Sequence, residues 1–403
     1  MKSRWSVLAI LGLCVYQFTL NWFCIVPAFP SLAREFHLAI PEVAALIAAF
    51  LGGYGICHLP AGWFSARIGM RGALLTGIAI EAVSSVLSPM FASYPAMIAL
   101  RVVAGAGGAC CLGASVGLVS AWFRDRELSL AMGLTTGVAF ALGAASGLFV
   151  WQPVVGLWGW RGGLAAAGAL GLVVLLVAAC APLVPQEERH AISAGHLDAQ
   201  AVGRVLKCGA LWWWGLSIIG SYGAFFTAAQ FLPIYAVKAL GFTPAQGGSL
   251  GATLLLSGIP AALLGGWIAD RFGHIRLLIC GAFVVSGAVM IGLPFLDHAS
   301  LYVGALAIGL ITMVGLTPWF SVPAMYPGRI TLADVPAASG LMLTLAALGG
   351  FLVPIGFGHL VATHGFSAGW TYLGIVSIAF TMFGMLAPAP RGEPRSKTST
   401  ATA

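Results

Sequence analysis

The amino-acid sequence predicts an all-α integral membrane protein, with twelve transmembrane helices arranged as two six-helix bundles. Three observations predict it. Sixty per cent of the 403 residues are hydrophobic and only 8% are charged, with a mean hydropathy of +0.97, which excludes a water-soluble globule. Apolar runs recur along the whole length, each long enough to cross a ~30 Å hydrocarbon core as a helix. They lack the alternating pattern of a membrane barrel, so helices have to satisfy the backbone. Basic residues gather in alternate loops, as expected of topology signals rather than of a nucleic-acid footprint.

The runs span roughly Val7–Pro27, Val43–Phe64, Leu74–Met90, Ala96–Trp122, Leu128–Val150 and Leu164–Val184 in the first half. In the second half they span Leu211–Tyr235, Leu250–Ile268, Leu277–Phe295, Leu301–Met325, Ala337–Val361 and Trp370–Leu386. Lys2 and Arg4 precede a first run too long for a cleavable signal, so it is expected to stay as a span. The longest internal polar stretch, Pro185 to Lys207, reads as a linker, with a short surface helix over Leu197 to Leu206. The domains are therefore 1–184, a linker at 185–207, 208–390, and a small-residue polar tail at 391–403 expected to be disordered.

Of nineteen Lys and Arg, three (Arg34, Arg161, Lys238) fall on one side and Arg101 lies inside a span. The remaining fifteen fall on the other side. Positive-inside bias assigns that side, both termini and the linker to the cytoplasm of a cell (inner) membrane. The eight cysteines show no CxxC or Cys/His ligand spacing and sit mostly inside apolar runs. They read as packing residues, and neither a metal nor a cofactor is expected.

Two charged hinges punctuate the apolar pattern. Gly266-Trp-Ile-Ala-Asp270-Arg271-Phe-Gly273-His-Ile-Arg276 has a looser copy in Gly62-Trp-Phe-Ser-Ala66-Arg67-Ile-Gly69-Met-Arg71. In each a glycine permits close helix approach, and the later copy adds an acid to hold the arginines. The pattern G-x-x-x-D-R-x-G-x-x-R resembles the loop signature of the major facilitator superfamily of secondary transporters, and its two appearances match that family's six-plus-six plan. The resemblance implies parallel repeats around a central path, with the hinges (Gly62, Arg67, Gly69, Arg71, Gly266, Asp270, Arg271, Gly273, Arg276) acting as conformational switches. Ala66 stands where the family has an acid, so a latch at the first copy is weakened or supplied by another residue.

Arg101, followed by Gly105 and Gly107, also resembles a fourth-helix signature of that family. An arginine at this depth costs several kcal/mol unless paired or hydrated. It is a candidate substrate residue, or else it snorkels to the nearer headgroups. Glu81 is the sole carboxylate well inside a span. It can carry a proton, or pair with Arg101 as a structural bridge. The resemblance gives helices one, four, seven and ten the lining of the path. On these, Tyr16, Gln17 and Asn21, then Tyr222, Phe226 and Gln230, then Thr312 and Trp319 form polar and aromatic stripes at helical spacing. Ordinary interhelical hydrogen bonding is the alternative for each.

No phosphate-binding loop is present, and Gly113-Ala-Ser115-Val-Gly117 lies mid-span rather than on a strand–turn–helix, so an enzyme is not expected. The expected activity is alternating-access transport of a small organic anion or related metabolite, with protons as a possible second partner. The bilayer is the other partner, and the expected state is a monomer that binds no nucleic acid. Efflux of amphipathic compounds is the alternative, although Gly143-Ala-Ala-Ser146-Gly147 lacks the proline of the drug-exporter pattern. A non-transporting membrane sensor ranks below both.

Overall fold

A computed structural model describes residues 4–38, 40–91, 93–185, 199–326 and 328–390. The tail at 391–403 and positions 186–198 of the linker lie outside the described residues. Among those described, ten stretches are long and apolar enough to cross a membrane. Two are of double length, Ala45–Met90 and Leu128–Ala179. The first breaks at Gly69 (φ 78°, ψ 156°) and the second at Gly159 (φ 66°, ψ 178°). Each therefore supplies two crossings, which restores the count of twelve. Glycine is needed at both breaks because a side chain at positive φ is strained.

The helices in order are α1 (Arg4–Phe23), α2 (Phe29–Glu35), α3 (Ile40–Leu87), α4 (Tyr94–Phe123), α5 (Leu128–Met132), α6 (Phe140–Ala145), α7 (Trp151–Ala179) and α8 (Ala199–Lys207). There follow α9 (Gly209–Leu240), α10 (Pro244–Leu256), α11 (Gly258–Phe272), α12 (Ile275–Gly292), α13 (His298–Trp319), α14 (Val335–His364) and α15 (Phe366–Leu386). The linker expectation of a short helix is met by α8. Wider π-type turns at Gly133–Ala139 and Ser146–Val150 flank α6. Gly143 there admits no side chain, since a Cβ would lie 2.0 Å from Thr19 Oγ1 on α1.

The chain forms two compact units. Unit 1 holds residues 1–125, 134–207 and 330–344, and unit 2 holds 126–133, 208–329 and 345–403. Each thus includes a short segment from the other half of the sequence. The core of unit 1 packs Leu20, Ile25, Leu46, Met97, Trp160 and Leu164. In unit 2, Phe225, Leu232, Leu250, Leu301, Phe357 and Trp370 play that part. Buried hydroxyls join helices inside unit 2: Ser221 meets Ser377 at 3.0 Å and Thr381 at 3.3 Å, while Ser286 meets Thr312 at 2.7 Å.

Candidate functional site

Arg101 sits in unit 1 where α4 lies tightly against α3. A Cβ on Gly105 would stand 2.0 Å from Phe50 O, and one on Gly53 2.0 Å from Val102 O. The side chain is 2% exposed and points into the unit rather than out toward headgroups. Its Nη1 donates to Asn21 O at 3.0 Å and its Nη2 to Trp22 O at 2.6 Å. Both carbonyls belong to the last turn of α1, whose acceptors have no partner within the helix. A cation at a helix C-terminus also meets the negative end of its dipole. The guanidinium carbon lies 4.8 Å from the Phe50 ring centre, and Nε has no acceptor among the described residues.

Glu81 is fully buried, and neither carboxyl oxygen has a hydrogen-bond partner among the described residues. Its Oε1 lies against Gly108, where a Cβ would approach it to 3.0 Å. Gly108 is seven residues beyond Arg101, about 10 Å along the α4 axis. The two side chains accordingly form no ion pair. The glycines that follow Arg101 in the sequence serve close packing here: Gly107 makes room for Gly77 O and the Glu81 side chain, and Gly108 for the Phe18 ring and Glu81 Oε1.

Gln17 and Asn21 share a face of α1, as their spacing requires, and both point into the packing of unit 1. Gln17 Nε2 donates to Ala167 O at 2.9 Å, and Asn21 Oδ1 accepts from Ser85 Oγ at 2.5 Å. Each keeps one orphaned polar atom, Gln17 Oε1 and Asn21 Nδ2. With Arg101 Nε and both Glu81 oxygens, these leave several unsatisfied polar atoms within one unit. Around them stand the rings of Phe18, Trp22, Phe50 and Phe140, in mutual contact at centroid distances of 5.3 to 6.2 Å. Tyr16 is half-buried and packs against the Leu20 and Ile25 cluster.

In unit 2, Tyr222 and Phe226 are half-buried one turn apart on α9, their ring centres 4.6 Å from each other. Gln230 continues the same stripe and is exposed. Trp319 is only 1% exposed and donates from Nε1 to Trp214 O at 3.0 Å. Trp214 in turn donates to Tyr326 Oη at 2.9 Å, which donates to Pro388 O at 2.5 Å. The structure thus places Trp319 in an aromatic knot that joins the start of α9 to the end of the membrane domain.

The hinge residues fall in two clasps, one inside each unit. In unit 2, a Cβ on Gly266 would lie 2.5 Å from Ser129 O, so α11 touches the start of α5 backbone to backbone. One turn on, Asp270 accepts from Ser129 N at 2.9 Å and from Leu130 N at 2.7 Å. Contrary to the sequence expectation, the acid does not hold Arg271, which has no acceptor among the described residues. Free N–H groups at a helix start are better donors to this carboxylate than an exposed arginine, because they cannot find acceptors in their own helix whereas the arginine has water. Gly273 (φ 69°) closes α11 by donating to Ala269 O, and Arg276 Nη1 donates to Met385 O at 3.4 Å.

In unit 1, a Cβ on Gly62 would lie 2.4 Å from Ala337 Cα, so α3 touches the start of α14 in the same manner. Arg67 stacks on Trp63, 3.7 Å from the ring centre, and Arg71 Nη2 donates to Ala179 O. Ala66 offers no acceptor. The acid comes instead from Asp334, which is fully buried and accepts from Thr331 N at 3.0 Å and Thr331 Oγ1 at 2.7 Å. Arg204 of α8 grips the same carboxylate with two bonds, Nε to Oδ2 at 3.2 Å and Nη2 to Oδ1 at 2.7 Å. The sequence carried a signal for this residue, since Thr331-x-x-Asp334 before an apolar run is a capping-box pattern. Nothing in the sequence pointed to Arg204 as its partner. A second ion pair missed from the sequence joins Arg161 to Glu35, which also accepts from Trp160 Nε1 at 2.7 Å.

A family model for the Major Facilitator Superfamily matches residues 11–354. The chain is 23% identical to the D-galactonate transporter of Escherichia coli O6:H1, over 87% of each chain. It is 23% identical to the hexuronate transporter of Escherichia coli strain K12, over 98% of this chain and 96% of that one. Human monocarboxylate transporter 11 is 29% identical, over 91% and 79% respectively. Among solved structures, the Escherichia coli fucose:proton symporter superposes with a TM-score of 0.78 at 15% identity, over 96% of this chain and all of that one. The proton:xylose symporter XylE gives 0.77 at 16% identity, over 97% of both. The protein is thus a multi-pass membrane transporter rather than an enzyme, and the chain belongs to the Major Facilitator Superfamily.

Proposed function

We propose that this transporter moves a small organic anion, of the sugar-acid or short carboxylate class, by alternating access. The single observation that carries the reading is Arg101, a buried guanidinium with no ion-pair partner among the described residues. Its bonds to two carbonyls hold it in place without cancelling its charge, so the interior of unit 1 favours anions. The names of the galactonate, hexuronate and sulfoacetate transporters that this chain is similar to support the same class. In this reading Tyr16, Gln17, Asn21, Tyr222, Phe226, Gln230 and Trp319 shape the path, with Tyr222, Phe226 and Gln230 contacting solute directly. Glu81 is the proton-coupling candidate, since it is a fully buried carboxyl with no hydrogen-bond partner among the described residues. The termini and both hinges lie in the cytoplasm of a cell membrane, and each clasp has to open during the cycle.

Efflux of amphipathic compounds is the second reading. It is favoured by the aromatic pair Tyr222 and Phe226 and by the similarity of 42% of the chain to a tetracenomycin C resistance and export protein of Streptomyces glaucescens, at 28% identity. Uptake into proteoliposomes decides between them. Galactonate, a hexuronate and sulfoacetate are offered with and without an inward proton gradient, beside a neutral hexose and a lipophilic dye. The anion reading expects saturable uptake of at least one acid, reduced at least tenfold by Arg101→Gln. Transport of the dye alone, or full anion uptake in Arg101→Gln, would overturn it.

A further inference from the structure

Unit 2 carries a groove of about 810 Å³ lined by none of the residues proposed above to contact solute. It runs between α11, α12 and α13, walled by Leu264, Phe272, Leu277, Val285 and Val314, with His274 as its one polar side chain. Its shape follows from glycine. A Cβ on Gly265 would lie 2.5 Å from Val314 O, and one on Gly315 2.9 Å from Ala282 Cβ, so the three helices close together at its floor. At Gly281, between them, a Cβ would meet nothing within 4 Å, and the missing side chain gives the groove its depth.

The two ends of the groove differ. Its length is apolar, but His274 lines the end at the α11–α12 turn, and Arg271 and Arg276 flank it in the sequence, Arg271 directly before the lining residue Phe272. Arg271 is exposed and engages no acceptor among the described residues. His274 uses only Nδ1, which donates to Phe272 O at 2.7 Å. Arg276 is directed to Met385 O. The neighbouring acid, Asp270, is committed to the two amides of Ser129 and Leu130. A membrane-facing slot that is apolar along its length and cationic at one end matches a lipid with an acyl chain and a negative headgroup. A zwitterionic lipid fills the slot equally well but gains less from the cationic mouth.

We propose that this groove is a binding site for an anionic phospholipid, with one acyl chain lying over Gly281 and the phosphate held by Arg271 and His274. The site is separate from the solute path, so it stands whether or not the anion reading does. The test uses the full chain purified in detergent, with thermal unfolding followed on adding phosphatidylglycerol or phosphatidylcholine. Phosphatidylglycerol is expected to raise the midpoint by about 5 °C more than phosphatidylcholine. Gly281→Leu, which the open space at that position accommodates, fills the slot and is expected to abolish the difference. Arg271→Gln is expected to reduce it by half or more while leaving the groove intact. Equal responses to the two lipids would overturn the proposal. So would a phosphatidylglycerol effect that survives Gly281→Leu, since that marks a lipid coat only. An effect lost in Gly281→Leu but unchanged in Arg271→Gln would overturn the headgroup placement.

Discussion

The two clasps solve one problem with different residues. In both, a glycine on one helix lets it touch the first turn of another, Gly266 at Ser129 and Gly62 at Ala337. In both, that first turn needs an acceptor for its free amides. The second clasp takes its acid from the hinge itself, through Asp270. The first has Ala66 in the matching place; its acid is Asp334, built into the turn before α14, where it accepts from Thr331 rather than from α14 amides and is held from outside by Arg204 of the linker. The difference is one of dependence: the second clasp needs two segments to form, whereas the first needs a third, α8. Each clasp also fixes a segment whose sequence neighbours belong to the other unit, residues 126–133 in unit 2 and 330–344 in unit 1.

The comparison predicts its own largest effect at the linker. Arg204→Ala leaves the fully buried Asp334 carboxylate with Thr331 alone. Breaking a buried ion pair costs several kcal/mol, but Arg204 is 37% exposed, so about 2 kcal/mol is expected after allowing for solvent screening. The loss is read as a lowered unfolding midpoint, and Asp334→Asn in the same background should recover part of it by removing the orphaned charge. If Arg204→Ala unfolds like the parent protein, the linker is not part of the first clasp. Asp270→Ala comes next. Losing a capping acceptor costs about 1 kcal/mol, and Asp270→Asn should lose less because an amide oxygen still accepts. An Asp270→Ala protein as stable as its parent would show that the glycine contact alone holds the second clasp. Arg67→Gln is smaller again, about 0.5 kcal/mol for an exposed cation–π pair, measured in the same unfolding series.

The fold was largely legible in the sequence, because a bilayer leaves so few ways to satisfy a backbone. Twelve apolar runs and the partition of arginines carried the count through the two places where continuous helical segments obscure it, at Gly69 and Gly159. The clasps were half legible. Glycine spacing marked where helices touch, yet the partner of Asp270 could not be read, since backbone amides leave no trace in a side-chain pattern. Arg204 and Asp334 are 130 residues apart, and only the folded chain brings them together. The lining was the least legible part. Helical spacing shows that Gln17 and Asn21 share a face, but not whether that face meets a solute path or Ala167 and Ser85. The same limit hid the purpose of Gly107 and Gly108, whose missing side chains accommodate Gly77 O, the Phe18 ring and Glu81.

The smallest effect is also the sharpest test of the comparison. Ala66→Asp restores to the first hinge the acid that the second one has. Ala66 follows Gly62 by the same four residues that separate Asp270 from Gly266, so its side chain belongs near the start of α14. In the parent protein that turn already has Asp334, and a second carboxylate nearby brings mutual repulsion along with its hydrogen bonds. The net change should then lie within about 0.5 kcal/mol of zero. In an Asp334→Ala background the place is vacant, and the same substitution should return about 1 kcal/mol, the value of one helix cap. The quantity to measure is the coupling between the two sites in a double-mutant cycle on unfolding midpoints. A coupling near zero would mean that positions 66 and 334 serve different ends. A coupling of about 1 kcal/mol would mean that the acid moved from the hinge to the turn while its task stayed the same.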